Sequence, residues 1–215
     1  MLSVVNQFYP YRTPSIFSKL FGRCLWQGPG DKSHVYITFD DGPLPVITPK
    51  VLNMLTAYNQ KATFFCVGEN VQRNNDIFKE VCQNGHDIGN HTCHHLHGWK
   101  SKTQKYLSDV ALADVHIGSK LFRPPYGKLT YSQYAALSQN GYQIVMWSLL
   151  VGDYSSGLNK KACLKKLCQN IRFGDIIVFH DQQKSWNNLE YILPGLLEEL
   201  QKRNITSKGI SSLIF

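Results

Sequence analysis

From residue 34 onwards, short apolar segments alternate with segments in which apolar residues recur at helical spacing. The apolar segments have the length of buried strands, and the helical segments are long enough to cross back over a sheet. The predicted strands cover 35–39, 62–67, the neighbours of Phe122, 142–147 and 175–179, with weaker signals at 86–88 and 205–206. The predicted helices cover 49–58, 75–84, 102–116, 132–140, 159–171 and 189–203.

This alternation predicts right-handed βα units and a parallel sheet. About seven such units can close into a distorted (β/α)7 barrel, an α/β fold with parallel strands and outer helices. An open doubly wound sheet has the same periodicity and stays open as an alternative. We expect one domain over residues 31–215, with residues 1–30 as an N-terminal extension packed on it.

Residues 14–26 are the candidate helix of that extension, because Thr13 can cap a helix and Pro14 suits its first position. With Lys19 and Arg23 beside its apolar face, peripheral membrane contact is an alternative, but we favour a helix folded against its own domain. We see no secretory signal and no transmembrane segment. The expectation is a cytoplasmic protein, with cell-envelope association left open.

Composition narrows the class of partner. Of the 215 residues, 43% are hydrophobic and 18% are charged, which is typical of a globular protein. The net charge of +8 favours an anionic partner, but the lysines are scattered over predicted helix faces, so we expect no nucleic-acid binding. The six cysteines form no CxxC pair and are predicted to be free thiols. The oligomeric state stays open, with a monomer favoured.

Unusual polar residues come directly after the apolar segments, at the predicted C-terminal ends of strands. In α/β barrels and open α/β sheets alike, functional sites gather at that edge. The clusters therefore argue for one assembled site. They are Asp40-Asp41, His91-Thr92, the segment 123–127, Asp153 and His180-Asp181.

Two of these clusters have the composition of a metal site. Asp40 and Asp41 can face one site only if the strand breaks, and Gly42-Pro43 is a strong breaker. His91 and His95 are four residues apart, so one helical turn would bring both imidazoles to one side. Two imidazoles and one carboxylate suit one divalent ion, zinc first and cobalt, nickel or iron as alternatives. The neighbouring histidines are predicted to be structural or surface residues: His86, His94 and His97.

In their order along the chain, these residues resemble the polysaccharide deacetylases, carbohydrate esterase family 4, which include the nodulation-type chitooligosaccharide deacetylases. Each motif alone is weak, and their shared order carries the resemblance. The motifs are TFDDGP at 38–43, ATFF at 62–65, GHDIGNHT at 85–92 with His95, RPPYG at 123–127, Trp147 with Asp153, and IVFH at 177–180.

The resemblance implies an enzyme that removes acetyl groups from an N-acetylated glycan with the help of a divalent metal ion. It implies that Asp41, His91 and His95 bind the ion. Asp40 is the implied general base that activates water, and His180 the implied acid that protonates the leaving amine.

The resemblance also implies supporting roles. Arg123 pairs with Asp40, Asp153 orients His180, and a backbone N–H near Tyr126 helps to hold the oxyanion. The implied substrate-binding residues are Trp147 and Val178 at the acetyl methyl, Tyr154 as an aromatic wall for a sugar ring, and Pro124. Tyr154 departs from the family, which commonly has Trp after this aspartate, and substrate preference is what this change puts in doubt.

Other functions fit parts of the pattern. A carboxylate with two histidines is also the facial triad of non-haem iron oxygenases, but the second aspartate and His180 supply the base and acid that hydrolysis needs. An O-deacetylase of acetylated xylan and a non-catalytic glycan-binding relative are the remaining alternatives. Acetate release from a panel of acetylated glycans distinguishes them.

Overall fold

The computed structural model describes residues 11–14, 16, 24–30 and 33–214. Most of the helix predicted over 14–26 lies outside these residues. The strands are β1 (Tyr11–Arg12), β2 (His34–Asp40), β3 (Ala62–Cys66), β4 (Asp87–Asn90), β5 (Leu121–Phe122), β6 (Gln143–Ile144), β7 (Leu149–Leu150), β8 (Ile176–His180) and β9 (Thr206–Ser207).

The helices lie in the connections between strands, as the apolar pattern predicts. The α-helices among the described residues are α1 (Ile47–Ala57), α2 (Gly68–Arg73), α3 (Asn75–Gln83), α4 (Thr103–Ile117), α5 (Tyr131–Gln139), α6 (Lys160–Asn170) and α7 (Trp186–Lys202). The short α2 was not predicted, because six residues carry too little periodicity to be seen in the sequence. The six predicted helices are confirmed to within a few residues at each end.

The strands form one curled sheet in the order β1-β7-β8-β2-β3-β4-β5-β6, with β9 paired to β2. All ladders are parallel except β1 with β7. The last long strand, β8, returns beside the first, β2, which is the neighbour relation of a barrel and not of a doubly wound sheet. The predicted distorted parallel barrel with helices is thus confirmed as a curled half-barrel.

The predicted strand over 142–147 is wrong in its extent. Strand β6 ends at Ile144, Val145 bridges Leu25, and the chain forms a second short strand at β7. Between them, the N–H of Met146 donates to the carbonyl of Leu25 at 2.7 Å, and the N–H of Ser148 donates to that of Ile176 at 3.1 Å. The partner segment thus changes along this run, which local sequence cannot show.

The described part of the first thirty residues pairs with the sheet. Leu25 bridges Val145, and Gln27 bridges Asp175 at the start of β8. Residues 25–27 therefore lie in the gap between β6 and β8, where the half-barrel is incomplete. The division into an extension over 1–30 and a domain over 31–215 stays a prediction.

Side-chain alternation along β2 determines which of its side chains point into the barrel. Val35, Ile37 and Phe39 pack outward into the main apolar core under the helices. Tyr36 belongs to a second apolar cluster on the opposite face of the strand. Because side chains alternate along a strand, Asp40 points to the face of Tyr36, inside the barrel.

Two further sequence expectations concern the cysteines and membrane-spanning helices. All six cysteines are free, as predicted. Over the described ranges, every helix is too short or too polar to cross a membrane.

Candidate metal centre and acid–base cleft

Asp40 and His180 lie at the ends of two hydrogen-bonded strands. Parallel pairing of β2 with β8 places Asp40 directly opposite His180 in register. Both side chains line a cleft of about 260 Å³ at the carboxyl end of the sheet. The sheet therefore fixes the spacing of these two groups before any ligand binds.

The strand ends at Asp40, and the following residue turns into the cleft. Asp41 has φ of 86°, in the left-handed region that side chains seldom adopt. The amide of Asn70 donates to the Asp41 carbonyl at 2.7 Å and helps to hold this conformation. The break at Gly42 thus allows two adjacent carboxylates to line one cleft.

His91 and His95 reach the cleft from a loop, so the expectation that a helical turn sets their spacing is wrong. Thr92 and His95 have φ of 64° and 52°, which no right-handed helix contains. The Asn90 carboxamide oxygen accepts from the Thr92 N–H at 2.9 Å, and the Thr92 hydroxyl accepts from the Leu96 N–H at 3.1 Å. These side-chain bonds to the backbone stabilise the loop.

Asp109 on α4 fastens the same loop from outside. Its Oδ2 accepts from the N–H groups of Cys93 and His94 at 2.9 and 3.0 Å. Its Oδ1 lies 2.5 Å from His94 Nδ1. His94 is therefore bonded to a helix and is not part of the cleft lining, which separates it from its two neighbours at 91 and 95.

Asp41, His91 and His95 converge on one point. Asp41 Oδ1 lies 3.6 Å from His91 Nε2 and 3.0 Å from His95 Nε2. One ligand atom from each residue falls within a mutual separation of 4.8 Å. Two imidazole nitrogens and a carboxylate oxygen are a donor set for a divalent transition ion with positions left for water.

The protonation states fit such an ion. His91 Nδ1 donates to the Arg123 carbonyl at 2.7 Å, which leaves the Nε2 lone pair on the side of the triad. Burial lowers the pKa of His91 to about 4, so the ring is neutral at neutral pH. Burial alone would raise the pKa of Asp41, but the His95, His91 and His180 rings lower it well below its usual value. Among the described residues, buried Asp41 Oδ1 accepts no hydrogen bond of ordinary geometry.

Arg123 lies wholly inside the barrel behind Asp40. Its side chain is fully buried, and Nη1 donates to Asp40 Oδ1 at 2.7 Å and to the Thr38 hydroxyl at 2.7 Å. The remaining nitrogens donate to the carbonyls of Val145 and Met146. A buried guanidinium with this many acceptors compensates the buried carboxylate and fixes its position.

Asp153 holds His180 in the same manner. Its Oδ1 lies 2.8 Å from His180 Nδ1, and its Oδ2 accepts from the His180 backbone N–H at 2.8 Å. Burial opposes the charged imidazolium, but the adjoining Asp153 carboxylate outweighs burial and raises the pKa of His180 to about 9. Because Nδ1 of His180 is bonded to Asp153, Nε2 is the ring nitrogen that this carboxylate does not engage. The His180 side chain lines the cleft.

The other candidate residues are distributed around the cleft wall. Tyr126, Trp147, Tyr154 and Val178 line it, while Pro124 does not. The Tyr154 ring meets the His180 ring edge to face at 5.0 Å. Sequence reasoning did not assign the further lining residues Leu150, Gln182 and Lys184.

Asp181 is a buried carboxyl that the sequence grouped with the strand-end clusters without giving it a role. It accepts from the Gly42 N–H at 3.0 Å and from the Thr48 hydroxyl at 2.5 Å. Burial raises the pKa of Asp181 to about 7, and the nearby Asp41 carboxylate acts in the same direction. It holds the turn that follows Asp41, a function visible only once α1 is packed on the sheet.

A curled parallel half-barrel whose cleft holds three metal-type donors together with a further carboxylate and a further histidine has the elements of a hydrolase. The sequence model of the family described as polysaccharide deacetylase matches residues 27–145. The chain belongs to this family, a family of carbohydrate deacetylases.

Individual relatives agree over most of the chain. It is 34% identical over 201 residues to a peptidoglycan-N-acetylglucosamine deacetylase of Bacillus cereus, covering 90% of this chain and 93% of the relative. It is 32% identical over 155 residues to a chitooligosaccharide deacetylase of Bradyrhizobium, covering 68% and 70%. A crystal structure of a peptidoglycan N-acetylglucosamine deacetylase, in complex with 4-naphthalen-1-yl-N-oxidanyl-benzamide, superposes with a TM-score of 0.78 at 30% identity, covering 94% and 96%.

Proposed function

We propose that this protein is a metal-dependent deacetylase that hydrolyses the acetamido group of N-acetylglucosamine units in a glycan. One observation carries the proposal. The in-register pair Asp40 and His180 lines the same cleft as the converging triad of Asp41, His91 and His95. A base, an acid and a set of metal-type donors are the three elements that metal-assisted amide hydrolysis uses.

The triad would hold one divalent ion through Asp41 Oδ1 and the Nε2 atoms of His91 and His95. When bound, such an ion polarises a carbonyl oxygen and increases the acidity of water in contact with it. Zinc is the ion we propose, since nitrogen donors and one carboxylate suit it. Asp41 Oδ1, a buried oxygen that accepts no hydrogen bond of ordinary geometry among the described residues, supports a cation here.

Asp40 would act as the general base. Arg123 fixes one carboxylate oxygen of Asp40 from inside the barrel, and the carboxylate lines the cleft. In this arrangement Asp40 takes a proton from water while the water oxygen forms a bond to the acetyl carbon. A backbone N–H near Tyr126 would stabilise the negative charge on the carbonyl oxygen.

His180 would complete the reaction as general acid. Its raised pKa keeps the imidazolium populated at neutral pH, and Asp153 orients the ring through Nδ1. The carbon–nitrogen bond then breaks, the sugar nitrogen takes the His180 proton, and acetate and an amine are released. Trp147, Leu150 and Val178 supply apolar surface in the cleft for the acetyl methyl.

The test is acetate release from a panel of substrates, by enzyme stripped with a chelator and then reconstituted with zinc, cobalt or nickel. The panel contains peptidoglycan, N-acetyl chitooligosaccharides, acetylated xylan and free N-acetylglucosamine. Metal-restored release from the first two supports the proposal. Release only from xylan indicates an O-deacetylase, and full release by the stripped enzyme excludes metal dependence.

The non-catalytic alternative is separated by a second measurement. The N-hydroxy amide bound in the related crystal structure is a probe for the metal-loaded cleft. We expect it to inhibit acetate release by the reconstituted protein. Glycan binding without any acetate release, under all metals, would instead identify a binding relative.

A further inference from the structure

We propose that four rings, His95, Tyr126, His97 and Trp99, form an aromatic platform that binds the sugars next to the acetylated one. This inference rests on the proposed function and adds the side chains that contact the glycan beside the reacting sugar.

The platform begins inside the cleft and is continuous. The His95 and Tyr126 rings meet at 4.8 Å, Tyr126 and His97 stack at 5.0 Å, and His97 and Trp99 meet at 6.3 Å between centroids. Because His95 belongs to the triad and Tyr126 lines the cleft, the series leads from the reacting position outward to Trp99.

The two largest rings of the series are exposed and held in place. Trp99 is 62% exposed and Tyr126 is 59% exposed. Trp99 Nε1 donates to the Leu129 carbonyl at 3.1 Å, and Tyr126 sits in a left-handed conformation with φ of 59° between Pro125 and Gly127. Fixed aromatic rings lose little conformational entropy when a ligand covers them.

The surroundings select a sugar as occupant. A pyranose ring has C–H bonds on its faces and hydroxyl groups at its edges, so it fits aromatic surface bordered by polar groups. Lys128 Nζ lies 4.2 Å from the centre of the Trp99 ring and can donate to a hydroxyl or acyl oxygen there. Scattered exposed aromatic residues are ordinary, whereas this series shares two members, His95 and Tyr126, with the cleft.

The experiment measures kcat/KM for acetate release from N-acetyl chitooligosaccharides of two to six sugars. For wild type we expect the ratio of the hexamer value to the dimer value to be well above one. Trp99→Ala should lower this ratio by about tenfold, a typical worth for an aromatic contact with its buried area. Trp99→Phe keeps a ring without the N–H and should retain most of the ratio.

Tyr191→Ala is the matched control. Tyr191 on α7 is also exposed and also has a lysine over its ring, Lys160 at 5.5 Å, but it takes no part in the ring contacts that connect Trp99 to the cleft. Its ratio should equal that of wild type. An unchanged ratio in Trp99→Ala overturns the proposal. If the ratio is unchanged because dimer and hexamer lose activity equally, Trp99 has a structural role.

Calorimetric titration of hexamer keeps the platform testable if wild type releases no acetate from any substrate. That result alone refutes the proposed function. The platform then stands if Trp99→Ala weakens hexamer binding and Tyr191→Ala does not. It falls if both variants bind hexamer as wild type does.

Discussion

Asp40 and His180 end two paired strands, whereas His91 and His95 lie on a loop with two residues in left-handed conformations. The strand-borne groups have their ionic partners within the protein, Arg123 and Asp153 respectively. In the loop-borne half, Asp41 Oδ1 is buried without an ordinary hydrogen bond among the described residues.

This difference separates the half of the site that folding alone completes from the half that a bound ligand would complete. The strand-borne half, which is the proposed base and acid, is positioned by the sheet and charge-compensated by Arg123 and Asp153, so it should be formed without metal. The triad brings one carboxylate oxygen and two imidazole nitrogens together, and in the proposed function a bound cation completes it. Variants of the two halves should therefore fail in different ways.

The largest effect should come from Asp40→Asn. Turnover should fall by roughly 10²–10⁴-fold, the usual contribution of a positioned base. Metal binding should be kept, since Asp40 is not one of the converging donors. Acetate release measured alongside metal titration checks both parts. Recovery of turnover at high zinc would show that Asp40 is a ligand and that the pair is assigned backwards.

Arg123→Met tests whether the strand-borne half depends on its internal ion pair. Removing one partner leaves a buried carboxylate uncompensated, which costs about 3–5 kcal/mol of the free energy of unfolding. Urea denaturation measures the loss. The double variant with Asp40→Asn should be less destabilised than Arg123→Met alone, and equal losses would show that the arginine acts only by packing.

Asp41→Asn tests the loop-borne half. A neutral amide is a poorer ligand than a carboxylate, so zinc affinity should fall by at least the 10–100-fold typical of outer-shell partners. Added zinc should restore part of the turnover, in contrast to Asp40→Asn. Isothermal titration of zinc into the stripped protein provides the measurement, and wild-type affinity would remove Asp41 from the metal site.

Asp153→Asn should shift the pH dependence of the rate without abolishing it. If Asp40 must be ionised and His180 protonated, the rate is bell-shaped in pH. The amide removes the charge that raises the pKa of His180 to about 9, so the alkaline limb should move to lower pH. A bound cation acts in the same direction, so the wild-type limb should lie below pH 9. An unmoved limb would mean that it reports another group.

The pH dependence of stability tests the role of Asp153 in a measurement that does not depend on catalysis. Because the folded-state pKa of His180 exceeds its ordinary 6.5, its pairing with Asp153 stabilises the stripped protein fully below pH 6.5. That contribution is lost as pH rises towards 9. The corresponding slope of the urea midpoint should disappear in Asp153→Asn.

The smallest effect should come from His94→Ala. His94 is bonded to Asp109, and the backbone bonds from Cys93 and His94 to the same carboxylate survive the change. Metal content measured by atomic absorption should stay near that of wild type. A large loss would place His94 among the ligands.

The sequence was informative where local pattern decides structure. Parallel strands put their ends at one edge, so the convergence of Asp40 and His180 followed from apolar segments alone. The His91 loop could not be derived in this way, because its shape depends on a tertiary bond to Asp109 as well as on the local bond from Thr92 to Asn90. The spacing of four predicted that the His91 and His95 rings face one point, and the structure brings them together. The helical turn assumed for that spacing is wrong, because the loop contains left-handed residues.

The bonds from Asp109 also connect the cleft to the outer layer. Since Asp109 belongs to α4 and Asn90 Nδ2 donates to the carbonyl of Val110 on the same helix, the histidine loop and α4 are fastened together at several points. Transient opening of α4 would release the loop and disperse the donors. A cation bound by the loop should therefore oppose that opening, and amide hydrogens around Val110 should exchange more slowly with solvent when zinc is present.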